Sequence, residues 1–293
     1  MSMRTVTPRL KGRCSFCGES LTCAAMARHL KVCRDRWKGK EPKTPLSGST
    51  EKLLDIAVKG DNGLFTYWMY VQAKADATLK ELDTFLRDTW LECCGHLSQF
   101  TINGVDYSIH PEPGMGDRSM NAKLGDILTE GETFTHEYDF GTTTALRLKV
   151  MSTRQASAER RKRKIIPLAR NDSPQITCDA CNSRKATHVC SQCIWEGGKA
   201  WLCEKCAPKH KCVMEDGEGM LLPVVNSPRV GYVPIGDAVH MAVGLFCDNM
   251  VKAERYLRHH HRPPSPHQRQ RISRSHRKRT SCSIPPSSSA PLA

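Results

Sequence analysis

Fifteen cysteines in a chain of 293 residues hold most of the chemistry that this sequence can offer. Eight of them form four Cys-x-x-Cys pairs: Cys14 with Cys17, Cys178 with Cys181, Cys190 with Cys193, and Cys203 with Cys206. Two intervening residues let both thiolates reach one tetrahedral ion while the amides of the knuckle point at the sulfurs. A disulfide framework is the competing explanation, but it expects an oxidising compartment and usually an even number of cysteines. The pairing therefore predicts zinc. Cys93, Cys94, Cys247 and Cys282 are read as free thiols with no assigned role.

The first cluster runs Cys14-x2-Cys17, eleven residues, then His29-x3-Cys33. Ala24, Ala25, Met26 and Ala27 are good helix formers, so a helix is expected from Leu21 to Cys33, with Thr22 able to cap it. His29 and Cys33 are four apart and share a face, opposite the Cys14/Cys17 knuckle. This arrangement resembles a C2H2-type finger whose last histidine is replaced by cysteine, leaving Cys23 as a spare thiol. So short a segment cannot bury enough apolar surface alone; a structural zinc, at roughly 10–16 kcal/mol, would make up the deficit.

The second cluster is denser. Cys178, Cys181, Cys190, Cys193, Cys203 and Cys206 are followed by His210 and Cys212, eight ligands that suit two ions. Only eight residues separate the first two pairs, few for a ribbon hairpin, so interleaving is favoured. In that reading Cys178, Cys181, Cys203 and Cys206 hold one zinc, and Cys190, Cys193, His210 and Cys212 hold the other. Sequential pairing, first four then last four, is the alternative, and His188 could displace His210. Three Zn2+ ions per chain are expected, all structural, since no open coordination position lies beside a general base.

Charge narrows the partners. Residues 1–50 carry a balance of +8 and residues 252–293 one of +9, whereas residues 51–150 stand at −7. The acidic middle would repel a phosphate backbone, so nucleic-acid contacts, DNA above all, are expected on the basic termini or on the run Arg160-Arg161-Lys162-Arg163-Lys164. Within the finger, Arg28, Lys31, Arg34, Arg36 and Lys38 lie on or just past the helix and could track phosphates or enter a major groove. The bland alternative is a solvated face on a protein-binding finger. The acidic middle could itself dock a protein. Mean hydropathy is -0.48. No apolar run approaches the roughly 18–20 residues of a membrane span, and the opening residues do not read as a secretory signal. A cytoplasmic protein with no membrane partner is expected.

The elements that must carry these sites can be read from periodicity. Leu64 to Val71 reads as a central strand. Thr78-Leu79-Lys80-Glu81 is a capping box, followed by Leu79, Leu82, Phe85, Leu86 and Trp90 at helical spacing. Asn103-Gly104 marks a hairpin between Phe100–Ile102 and Val105–Tyr107. A short helix is expected over Leu124–Leu128, then strands with alternating Phe134, His136, Tyr138, Phe140 and Leu146, Leu148, Val150. The order β-α-β-β-α-β-β gives an α+β domain with a mixed, mostly antiparallel sheet and two helices. It is flanked by the N-terminal finger and the C-terminal two-zinc module.

The organisation expected is a finger with basic flank at 1–45, a linker at 46–60, the central domain at 61–152 and a basic linker at 153–174. A cysteine-rich module with a terminal helix (Asp237 to Val251) follows at 175–250, then a disordered basic tail at 251–293, rich in Arg, Ser and Pro.

Leu82 through Phe100, the Asn103-Gly104 hairpin, Leu124-Gly125-Asp126-Ile127-Leu128 and Phe134 through Gly141 together resemble the plasmid pRiA4b open-reading-frame-3-like family. Its hallmark is a tyrosine-containing strand ending in Asp-Phe-Gly, here Tyr138-Asp139-Phe140-Gly141. Many members continue with an acidic residue and a tryptophan. Thr142-Thr143-Thr144 here resembles instead a subset with a C-terminal cysteine cluster, as does Leu222-Pro223-Val224-Val225-Asn226-Ser227-Pro228-Arg229. The resemblance spans about residues 60–245. It implies the domain fold and an association with plasmids and insertion elements, with no defined mechanism.

Catalytic readings are weaker. Asp139-Phe140-Gly141 echoes a kinase triplet, but a glycine-rich phosphate loop, a strand lysine with its glutamate and a His-Arg-Asp loop are absent from the sequence. A hidden acid–base set among His96, Asp106, His110, His136 and Asp139 has no spacing to support it, and His136 on an apolar strand reads as a core histidine. A non-catalytic, nucleic-acid-associated accessory protein of a mobile element is expected. A zinc-stabilised protein-interaction adaptor is the rival.

Overall fold

A computed structural model describes residues 9–37, 45–92, 95–111, 114, 116–159, 163–216 and 221–231. They fall within one unit, Met1–Asp248. The expected terminal helix and the basic tail lie outside the described residues.

Two strands whose side chains are buried on both faces organise the molecule. In β3 (Pro45–Asp61) and β4 (Thr66–Lys74), Leu54, Ile56, Val58, Tyr67, Met69 and Val71 point into one core. Ala57, Trp68 and Tyr70 point into a second, on the other face. Such period-two alternation, apolar on both sides, demands a layer on each face of the sheet. Helix α2 (Leu79–Leu86), continued by a π-helical turn over Arg87–Leu91, supplies part of the first layer. Its start is the anticipated capping box: Thr78 Oγ1 accepts from the Glu81 amide, and the Glu81 carboxylate accepts from the Thr78 amide.

The rest of the sheet follows in chain order: β5 (Ser98–Ile102), β6 (Val105–Ser108), β7 (Arg118–Ser119), α3 (Leu124–Ile127), β8 (Thr133–Tyr138), β9 (Thr144–Glu159) and β10 (Ile165–Asn171). Asn103 (φ 51°) and Gly104 (φ 75°) make the left-handed two-residue turn between β5 and β6. The N-terminal hairpin is β1 (Lys11–Cys14) with β2 (Ser20–Thr22), leading into α1 (Cys23–Trp37). The ten strands are ordered β2-β1-β10-β4-β3-β9-β8-β5-β6-β7, antiparallel but for the β6–β7 pair. The fold class is thus α+β with a large, mostly antiparallel sheet.

Three boundaries differ from expectation. Residues 46–60, expected as a linker, are the body of β3. Glu51, Lys52, Asp55 and Lys59 gave the segment a loop-like composition, but Leu54, Ile56 and Val58 alternate into the core. Within the basic linker expected at 153–174, residues 153–159 end β9 and Ile165–Asn171 form β10, with Pro167 tolerated at a register shift between Pro167 and Ala169. Finally, the finger is not a separate bead. β1 pairs with β10, so the finger extends the sheet, and Met26 and Leu30 bury fully against its second face. That contributes roughly 1.5–3 kcal/mol per large side chain. Leu21 and Thr22 accordingly belong to β2, and the helix starts at Cys23.

The C-terminal cysteine-rich region carries β11 (His188–Cys190), α4 (Ser191–Trp195), β12 (Trp201–Leu202), a 3-10 turn (Ala207–Lys209), α5 (Lys211–Asp216) and β13 (Leu221–Pro223). These strands form a second sheet in the order β12-β11-β13. Beyond β13 the chain lies as a strap along the main sheet. Ser227 Oγ donates to Trp90 O (2.6 Å), and Asn226 and Asn171 bond each other.

Candidate metal centres

The first centre is assembled by a hairpin and a helix. Cys14 ends β1, Cys17 sits in the turn, and Gly18 (φ 77°) closes the knuckle in a left-handed conformation, its amide donating to Cys14 O (2.8 Å). His29 and Cys33 come from one face of α1. All four ligand atoms lie within 4.8 Å of one another. Cys14 and Cys33 sulfurs are 3.9 Å apart, and Cys17 Sγ is 3.3 Å from His29 Nε2. The other ring nitrogen, Nδ1, faces Glu19 Oε2 at 3.2 Å. A carboxylate on the far nitrogen fixes the tautomer and turns Nε2 toward the site.

The C-terminal ligands pair in the interleaved way: Cys178, Cys181, Cys203 and Cys206 in one group; Cys190, Cys193, His210 and Cys212 in the other. The second knuckle repeats the first. Asn182 (φ 51°) follows Cys181 and donates to Cys178 O at 2.9 Å. Cys181 and Cys203 sulfurs are 3.9 Å apart, Cys193 and Cys212 sulfurs 3.6 Å, and Cys193 Sγ is 3.3 Å from His210 Nε2. His188 faces Thr187 Oγ1 through Nδ1 and pairs within β11, so it does not displace His210. Cys23 stands apart from its cluster, against the Tyr70 hydroxyl.

These distances decide between bridge and ion. A disulfide needs an S–S length of about 2.0 Å. A tetrahedron with thiolate arms of about 2.3 Å has edges of about 3.8 Å, and shorter edges where a ring nitrogen replaces a sulfur. The observed separations match the second case, and each cluster can hold one metal ion.

Crowding of the sulfurs shows in their acidity. Burial, with Cys17 and Cys14 alongside, pushes the Cys33 thiol up to about 12. Burial together with Cys212 and Cys190 does the same to Cys193. Cys181 is held down at about 5 by the Ser183 hydroxyl and by backbone amides of Ser183 and Arg184. Arg184 also donates to Cys203 Sγ at 3.7 Å.

Of the basic residues expected to meet nucleic acid, Arg28 and Lys31 lie on the exposed face of α1, beside Val32 (55% exposed). Arg34 and Arg36 fall on its last turns, and Lys38 lies outside the described residues. The opposite face of α1 is spent on the sheet.

Sequence reasoning missed a buried ionic cluster at the Tyr-Asp-Phe-Gly strand end. Asp139 adopts φ 65°, and its Oδ1 accepts from the amides of Gly141 and Thr142. Oδ2 accepts from Arg229 Nη2 at 2.9 Å, with both side chains buried. Against desolvation, the Arg229 guanidinium and those amides hold the Asp139 carboxyl below the ordinary carboxylate range. Arg229 also stacks over the Tyr138 ring, with Arg87 at 5.1 Å from the same ring. Tyr138 Oη donates to Glu92, which pairs with Arg87. From α2, Asp83 accepts from Ser98 Oγ of β5 (2.7 Å) and lies 2.8 Å from His136 Nε2 of β8, all buried. His136 is a core histidine. The only sequence signal was that Arg229 ends a segment otherwise apolar and turn-like.

No protein-family model matches this chain, and no curated protein is significantly similar to it. A solved structure similar to part of it is the crystal structure of a protein of unknown function, MM3350, from Methanosarcina mazei Go1. It shares 18% identity, covering 41% of this chain and 69% of that one, with a TM-score of 0.35. Among the described residues no helix is long and apolar enough to cross a membrane.

Proposed function

We propose that this chain is a non-catalytic, three-zinc cytoplasmic protein of the plasmid pRiA4b open-reading-frame-3-like type, a mobile-element accessory that binds nucleic acid, in particular DNA. Mixed cysteine and histidine sites with closed, four-ligand shells are the donor set of structural zinc. In support of the family, two of the segments that carry the resemblance meet in space: Arg229 of the tail segment grips Asp139 of the Asp-Phe-Gly turn. That contact also supports a non-catalytic role, because it covers the Tyr138 ring and neutralises the Asp139 carboxylate.

The observation that carries the nucleic-acid reading is a strand pairing. Pro45 at the start of β3 is the register partner of Glu159 at the end of β9. Along the chain, Lys38, Lys40 and Lys43 precede the first member of this pair, and Arg160 to Arg163 follow the second. They are more than a hundred residues apart in sequence. Clustered cations bind phosphates by counterion release, independently of base sequence. A duplex mobility-shift titration against salt tests this. A logarithmic slope of about −4 or steeper is expected, and Arg28→Ala and Lys31→Ala should each flatten it by about one. A slope near zero rejects the proposal and leaves the adaptor reading, which exposed Trp195 (63%) and Met214 (75%) on the C-terminal module favour.

A further inference from the structure

We propose that the cleft between α1 and the second face of the sheet is a binding site for a small amphipathic anion: an apolar or aromatic body bearing one carboxylate, sulfonate or phosphate. It shares Lys31 with the nucleic-acid reading but does not rest on it. The cleft measures about 330 Å³, within the usual size of ligand pockets. Its walls come from α1, β3, β4, β9 and β10, so it exists only where the finger meets the sheet.

A register shift shapes it. Asp55 pairs with Ser152 but Ile56 pairs with Val150, which leaves Met151 as the extra residue of a β-bulge. On a regular strand Met151 and Ser152 would face opposite sides; the bulge brings Met151, Ser152 and Arg154 to the same cleft. Bulges recur beside binding sites because they re-aim side chains in this way.

The lining has two parts. Leu30, Met151 and Leu168, with Tyr70, make an apolar floor. Lys31 and Arg154 bring two positive charges, against the single carboxylate of Asp55. Asp55 is itself buried, one oxygen accepting from Gln72 Nε2 (3.3 Å) and the other from Ser152 Oγ (2.9 Å). The lining thus sets two cationic side chains beside an apolar base. An apolar body excludes water from the floor while the anionic group meets the cations, where partial desolvation strengthens the attraction.

The probe is 8-anilinonaphthalene-1-sulfonate, which has this chemistry, added to the zinc-loaded full chain. Saturable binding of one probe per chain with enhanced, blue-shifted emission is expected. Lys31→Glu should weaken it about tenfold, whereas Val32→Glu, exposed on the same helix and outside the cleft, should leave it within about twofold. Met151→Trp, which fills the cleft, should abolish it. An unchanged metal content and melting curve show that each variant has folded. Displacement by guanosine 5′-monophosphate assigns a nucleotide as the occupant, and displacement by decanoate an apolar acid. Absence of saturable binding, equal effects of Lys31→Glu and Val32→Glu, or displacement by neither competitor overturns the site.

Discussion

Removing Arg229 should do more damage than its place in a terminal strap suggests. Its guanidinium bonds Asp139 Oδ2 (2.9 Å), Thr142 O (3.0 Å) and Thr144 Oγ1 (3.0 Å), and it lies over the Tyr138 ring at 5.0 Å. Arg229→Ala strands a buried carboxylate, a change that typically costs about 3–5 kcal/mol. Asp139 keeps two backbone amides, and His96 Nδ1 lies 3.7 Å away, so the lower end, about 3 kcal/mol, is expected. For a domain of this size that is a melting-temperature drop of roughly 6–12 °C. Asp139→Asn retains both the left-handed backbone, which asparagine tolerates, and an oxygen for the amides. A double-mutant cycle of the two changes should therefore return a coupling of about 2–3 kcal/mol. Urea unfolding followed by tryptophan fluorescence measures it. The pH dependence has a definite sign. A carboxyl whose folded pKa lies below its unfolded value stabilises fully above about pH 4, and that stability is lost as pH falls through the folded value. The gap between wild type and Arg229→Ala should thus close in acid. A cost below about 1 kcal/mol at neutral pH, or zero coupling, refutes the argument that this ion pair holds the strap.

Native mass spectrometry should find three zinc ions per chain; Cys14→Ser should leave two and raise hydrogen exchange in α1 without disturbing the C-terminal pair. Glu19→Gln, which weakens the partner of His29 Nδ1, should lower affinity at the first centre alone by about 10–100-fold in competition with a chromophoric chelator. Gly60→Ala would place its Cβ 2.7 Å from Leu146 Cδ2 and 2.8 Å from Pro228 Cγ. It should cost about 1–3 kcal/mol in urea titration, because strand and strap cannot both keep their places.

Several parts of this molecule could be read before any coordinates because they depend on near neighbours. The Thr78–Glu81 box, the Asn103-Gly104 turn and the alternating strands around Phe134 and Leu146 each rest on contacts a few residues long. The ligand groups were accessible for a related reason. Two residues between cysteines commit a pair to one ion, and one helical turn aligns His29 with Cys33, so few partitions of twelve ligands remain. The short loop favoured interleaving over sequential pairing, and the grouping of the side chains decides for it.

What composition hid was set by contacts across long stretches of chain. Residues 46–60 are charged enough to pass for a linker, and become a central strand only because β4 and β9 flank them and both faces find a layer. Residues 165–171, inside the expected basic linker, form β10, with a register shift between Pro167 and Ala169. The grip of Arg229 on Asp139 spans 90 residues, and no local pattern announces which buried carboxylate a distant guanidinium will meet. Spacing along the chain settles which atoms can share an ion, since covalent geometry limits their reach. Where the finger sits, what the strap holds down and where a cleft opens depend on burial, which is defined only once the sheet and the layers on its two faces have packed together.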